Sequence, residues 1–177
     1  MKIVQYGHPA LERVAIPVKL PLPDEDKDLI KGMMRILSKR SKSSAGLAAP
    51  QVGVSKRVCI VRRFDLEDND SIPIWDILIN PKILEKSDTL SVEWEGCLSI
   101  NNGELWGEVA RPDFVKVEYY DESGNIHKVE AFGFQAHVYQ HEIDHLDGIL
   151  FLRYISDPSK LYTTEEMLKK ISKKNSE

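Results

Sequence analysis

Leu29, Ile30, Met33, Met34, Ile36 and Leu37 recur at helical spacing and predict a helix over about Asp24 to Arg40. Its first turn is acidic (Asp24, Glu25, Asp26) and its last basic (Lys39, Arg40), as the helix dipole favours. The Pro-rich PVKLPLPD (17–24) before it is extended, and KSSAGLAAPQVGV (42–54) after it reads as a loop with a tight apolar segment. RVCIVRR (57–63) alternates as a strand, and WDILINPKIL (75–84) reads as strand pieces broken at Pro81. Apolar positions alternate on both sides of DESGN within FVKVEYYDESGNIHKVEAF (114–132), which predicts a hairpin. A long helix follows from about Phe134 to Leu146, and residues 164 to 173 form a short amphipathic helix. The sum is an α+β fold, with mostly antiparallel strands packed around a central helix plus N-terminal and C-terminal helices.

Composition narrows the class without choosing a function. The chain has 177 residues, 42% apolar and 29% charged, the make-up of a soluble globular protein and the length of a single domain over 1–177. A net charge of −4 gives no cause to expect a nucleic-acid partner. The lysines of KKISKKNSE (169–177) read as a solvated tail; a contact of this basic tail with the ribosome is the other use for it. No apolar run approaches the roughly 20 residues of a membrane span, and the first residues lack a secretory signal, so a cytoplasmic protein is expected. Two cysteines without export argue against a disulfide framework: Cys59 reads as a buried apolar residue, and Cys97 sits between glycine and serine in EGCLS.

The central helix carries the chemistry. YQHEIDHLDG (139–148) contains H-E-x-x-H, which places His141 and His145 on one face about 6 Å apart. Glu142 lies beside them, placed to take a proton from water near an ion. Two core histidines and a surface glutamate are the plain alternative. Two ligands do not complete a site, and several residues compete for the third place. The extension with a histidine after Gly148 is closed, because Phe151 stands there. Glu165 and Glu166 lie at the distance of a carboxylate from a later helix. His137, with His141 and His145, would stretch over about 12 Å of helix axis and cannot close on one ion. Cys97 would give the three protein ligands plus water of a catalytic site, although a cysteine taken alone is more often a buried hydrophobe.

SAGLAAPQ (44–51), EGCLS (95–99) and QHEIDHLDG (140–148) together resemble the three signature motifs of the peptide deformylases, in that family's order. The resemblance extends to YGHPALERVAIPV (6–18), ARP (110–112) and the D-x-x-G hairpin. It implies that Cys97, His141 and His145 are metal ligands and Glu142 the catalytic glutamate. Gln51, by its side-chain amide, and Leu98, by its backbone N–H, match the holders of the reacting oxygen. Gly46 matches the motif glycine whose backbone meets substrate, and Arg111 a family arginine near the peptide. Ala45, Phe134, His137 and Val138 align with the methionine pocket, and helical spacing puts the last three on one side. The implied reaction removes the formyl group from the N-terminal formyl-methionine of new bacterial-type proteins and releases formate. The implied cofactor is one divalent ion, Fe²⁺ natively, with Zn²⁺, Ni²⁺ or Co²⁺ able to substitute.

The chain departs from that pattern at Ser44, where glycine is usual, and a conformation serine tolerates is expected there. NNGELWGEVAR (101–111) lacks the family's proline and is slightly longer, with Trp106 either a lip over the cleft or an exposed loop residue. Glu93 and His137 are more polar than the usual pocket residues, and Glu95 is expected to brace Gln51 or Arg111.

Overall fold

The structure, a computed structural model, describes residues 1–40, 44–67 and 72–174. Among these the order is α1 (Asp24–Ser38), β1 (Gly46–Ala48), β2 (Val58–Arg62), β3 (Trp75–Lys86), β4 (Leu90–Gly96), β5 (Leu105–Pro112), β6 (Phe114–Tyr120), β7 (Ile126–Phe132), α2 (Gly133–Leu146), β8 (Leu161–Thr163) and α3 (Thr164–Lys174), with short 3-10 turns between. The strands form two antiparallel sheets, β1-β2-β3-β6-β7 and β4-β5-β8. This is the expected α+β class, with the H-E-x-x-H helix among the strands.

β2 explains why the larger sheet is stable. Val58 and Ile60 join the apolar cluster of α1 with Leu29, Ile30, Met33 and Leu37. Cys59 and Val61 point the other way, into a cluster with Ala136, Tyr139 and Ile143 of α2. All four are fully buried, so the strand is apolar on both faces, and each large side chain contributes about 1.5–3 kcal/mol by leaving water. Cys59 is the buried apolar residue expected of it.

Pro81 does not break its strand. β3 runs through it, and the register with β6 shifts between Ile79 and Lys82. The missing N–H therefore falls where the ladder already skips. Asn80 adopts φ 52° at this point, and its side chain bonds both the N–H and the C=O of Val18 at 2.8 Å.

α2 is buried around most of its circumference, and the polar residues on its sheet-facing side have partners. Gln135 accepts from Phe64 N–H and donates to the Arg62 carbonyl, both at 2.9 Å. Tyr139 donates to Asp76 at 2.9 Å. The helix ends before Gly148, at φ 71°, where an added Cβ would lie 2.8 Å from the Glu12 backbone. This motif glycine is needed for close chain packing. The basic C-terminal run is helical as far as Lys174 in α3, and residues 175–177 of the expected tail lie outside the described residues.

Candidate active site

Cys97 directly follows β4, in a turn closed by Ile100 N–H on the Cys97 carbonyl at 2.9 Å. His141 and His145 stand one turn apart on α2, their rings edge to face at 5.0 Å. The three donor atoms lie within 4.8 Å of one another, with Cys97 Sγ 3.3 Å from His145 Nε2. Bonds of about 2.0–2.3 Å to a tetrahedral ion would need donors roughly 3.3–3.8 Å apart, so the set fits a divalent cation. His141 Nδ1 donates to Glu95 Oε2 at 2.9 Å, which leaves its Nε2 for the cluster. Burial opposes a charge on His141, but its bonds to Cys97 and Glu95 outweigh that and raise its pKa well above the ordinary value. At His145 burial and the neighbouring His141 act together and lower it. Glu165 and Glu166, the other candidates for the third ligand, sit exposed on α3 and pair with Lys169 at 2.7 and 3.2 Å.

Glu142 is buried beside the donors, and its Oε2 has no hydrogen-bond partner. Burial pushes its carboxyl up to about 7; His141 opposes the rise and Glu95 adds to it. Gly46 makes this position possible, because a Cβ there would come within 2.5–2.6 Å of the Glu142 side chain. Gln51 accepts from Ala48 N–H at 2.8 Å through Oε1, which aims its amide nitrogen at Cys97 Sγ, 3.3 Å away. Leu98 follows Cys97, and its carbonyl is held by Gln5 Nε2 at 2.9 Å.

Glu95 ties the site to the rest of the fold. Its carboxylate accepts from Arg111, His141 and His137. Burial alone would raise it, but the bonds from His137, His141 and Arg111 hold it well below the usual carboxylate range. The expected brace therefore reaches Arg111 and not Gln51. Arg111 itself requires a correction. It was expected near the peptide, yet it is 2% exposed, lines no part of the cleft, and gives its remaining nitrogen to Asp144 at 2.7 Å. Packed on Tyr154, 4.3 Å from the ring centre, it joins β5 to α2. Asp144 escaped the sequence reading, although it lies inside the motif as H-E-I-D-H.

A cleft of about 430 Å³ leads to the donors. Ala45, Gly46, Phe134, His137 and Val138 line it, together with Gln51, Cys97, Leu98, His141 and Glu142. His137 is held through Nδ1 by Glu95 at 3.3 Å, and its Nε2 lies 3.0 Å from Ser91 Oγ. Trp106 belongs to β5 and lines the cleft, as does Trp94, which sequence reasoning passed over; Glu93 does not. Ser44 is not among the described residues with positive φ, in keeping with a conformation serine tolerates. Arg62 and Phe64 also line the cleft and had not been singled out.

A thiolate-type donor, two histidines on H-E-x-x-H and a buried carboxyl at the end of a cleft define a metal-dependent hydrolase site. Family comparison narrows this class: the polypeptide deformylase profile matches residues 1–161. The peptide deformylase of Latilactobacillus sakei subsp. sakei is 38% identical over 94% of this chain and 95% of its own length. That of Ligilactobacillus salivarius is 39% identical over 92% and 94%. Among solved structures, the Met-Ala-Ser-bound class I type b peptide deformylase of Acinetobacter baumannii matches with TM-score 0.75 and 34% identity, over 87% of this chain and 97% of that one. The Thermotoga maritima enzyme gives 0.74 and 35%, over 88% and 97%. The chain belongs to the polypeptide deformylase family.

Proposed function

We propose that Glu142, Gln51 and Leu98, working beside a cation held by Cys97, His141 and His145, carry out the reaction of this family: hydrolysis of the N-formyl group of formyl-methionyl nascent polypeptides. The convergence of those three donors on the end of the cleft occupied by Glu142 carries the reading. A divalent ion there would supply Lewis acidity, lowering the pKa of a nearby water from about 16 towards 7. Glu142, poised near neutrality by burial, takes the proton as water oxygen bonds to the formyl carbon. The oxyanion is received by the Leu98 N–H and by Gln51, whose amide nitrogen has a second hydrogen besides the one aimed at Cys97. Glu142 then returns the proton to the amine, the C–N bond breaks, and formate leaves.

Ala45, Phe134, His137 and Val138 are read as the methionine pocket, and Gly46 as both a backbone contact for the peptide and the opening that admits Glu142. Arg111 acts as a brace outside the pocket. Fe²⁺ is read as the native metal, with Zn²⁺, Ni²⁺ or Co²⁺ as substitutes; the thiolate makes an iron site vulnerable to oxygen. One catalytic domain working in the cytoplasm fits the family and the finding that, among the described residues, no helix is long and apolar enough to cross a membrane. Ribosome contact through the basic C-terminal run is the further partner proposed: Lys170 sits 4.5 Å over Tyr162, while Lys169 is engaged by Glu165 and Glu166. Formate release from formyl-Met-Ala-Ser, measured anaerobically, tests the reading. The parent should turn over, and Glu142→Gln and Cys97→Ser should not; full activity in either variant contradicts it.

A further inference from the structure

We infer that the segment beyond residue 161 is a working part of the substrate cleft. Tyr162 and Thr164 are positioning residues that hold the indoles of Trp94 and Trp106 in the wall receiving the peptide beyond its formylated residue. This rests on the deformylase reading and adds a specificity element to it.

The smaller sheet sets out the geometry. Trp106 pairs with Gly96 on one side and with Tyr162 on the other, so Trp106 and Tyr162 project from the same sheet face, as does Trp94 two residues before Gly96. Trp94 and Trp106 line the cleft. The Trp106 ring lies against the bare backbone of Gly96, where a Cβ would be 2.9 Å from it, immediately before Cys97. Its Nε1 donates to Thr164 Oγ1 at 3.0 Å. Tyr162 meets the Trp94 ring edge to face at 5.5 Å. Tyr162 is covered in turn by Lys170, and α3 is anchored through buried Met167.

The family match ends at residue 161, so Tyr162 and Thr164 both lie outside it. No residue of α3 reaches the cleft lining or the donor cluster, among the described residues. The two tryptophans are thus the route by which α3 and its approach act on the reaction. They line the binding surface without touching Glu142 through any hydrogen bond. The influence should therefore appear in KM and leave kcat alone.

The test compares formyl-Met-Ala-Ser with formyl-Met amide, using metal-loaded full-length protein. Thr164→Val and Tyr162→Ala should each raise KM for the tripeptide by roughly three- to tenfold, the scale of one neutral hydrogen bond or aromatic contact. KM for the short amide, kcat and metal content should stay at the parent values. Thr164→Ser, which restores the acceptor, and Tyr162→Phe, which keeps the ring, should return KM to the parent value. If Tyr162→Ala does not fold, Thr164→Val decides, since it removes only a hydroxyl. An active parent whose Thr164→Val variant keeps its KM, or loses kcat equally on both substrates, overturns the inference alone. A metal-loaded parent that releases no formate overturns the deformylase reading and the inference with it.

Discussion

The two sheets of this molecule are built on opposite terms. The larger one buries β2 between α1 and α2, and its interior is Val, Ile, Leu, Cys and Ala. The smaller one leaves Leu90 and Val92 exposed and turns Glu95 and Arg111 inward. Its apolar support is a modest cluster of Leu11, Cys97, Ile100, Val109, Leu150 and Phe151. The first sheet supplies stability. The second presents a metal donor, the carboxylate that orients another, and two tryptophans of the cleft. α2 joins them, fastened to the larger sheet by packing and to the smaller by the Glu95–Arg111–Asp144 ion group.

That contrast can be broken at defined points. The largest effect is expected at the reacting end: Glu142→Gln should lower formate release by about 10²–10⁴-fold, with melting temperature and bound metal unchanged. A variant that loses its metal would show Glu142 to be part of the holding structure. Next, Arg111→Leu should cost about 3–5 kcal/mol in denaturant unfolding, because it strips the buried Glu95 and the partly buried Asp144 of their counter-charge. A loss under about 1 kcal/mol would mean that the joint between sheet and helix lies elsewhere. The sheets themselves separate in a pair of truncations: Ile60→Ala should cost about 2–5 kcal/mol, and Val92→Ala, on an exposed face, within about 0.5 kcal/mol of nothing.

The smallest effect is at the β6–β7 turn. Asp121 accepts from His127, Asn125 and Ser123, and these bonds hold its pKa below the usual carboxylate range. Its folded pKa is depressed, so its contribution is present above the unfolded pKa and lost as pH falls towards the folded one. Asp121→Asn should lower the melting temperature slightly near neutral pH, with the gap closing in acid. A gap that persists unchanged in acid would assign the effect to turn geometry and not to charge.

The same contrast decides what was legible in the sequence. α1, β2 and β6 announce themselves because their apolar positions are mostly the buried ones, while β7, α2 and α3 keep a readable period although Ile126, Phe132, Phe134 and Leu168 are exposed. β4 does alternate apolar and polar residues in LSVEWEG, as a strand would, but it reads inside out: Leu90 and Val92 face solvent while Glu95 is buried, so the pattern points the wrong face inward. β5 buries Gly107, Val109 and Arg111, a glycine and an arginine where apolar residues would be sought. β1 is three residues long and merges with the following turn. β3 looked broken because nothing local tells that Pro81 meets a register shift. At the site, residue type and spacing identify His141, His145 and Glu142, and motif order brings in Cys97. Arg111 was misplaced because a resemblance locates a residue along the chain without saying which way its side chain turns.

Metal analysis of anaerobically prepared parent and Cys97→Ser, after dialysis against a chelator-free buffer, examines the core of the account directly. It predicts about one divalent ion per chain in the parent and a large loss in Cys97→Ser at unchanged melting cooperativity. A full equivalent retained without the thiol would show that sulfur is not a ligand, and the site built around it would be wrong.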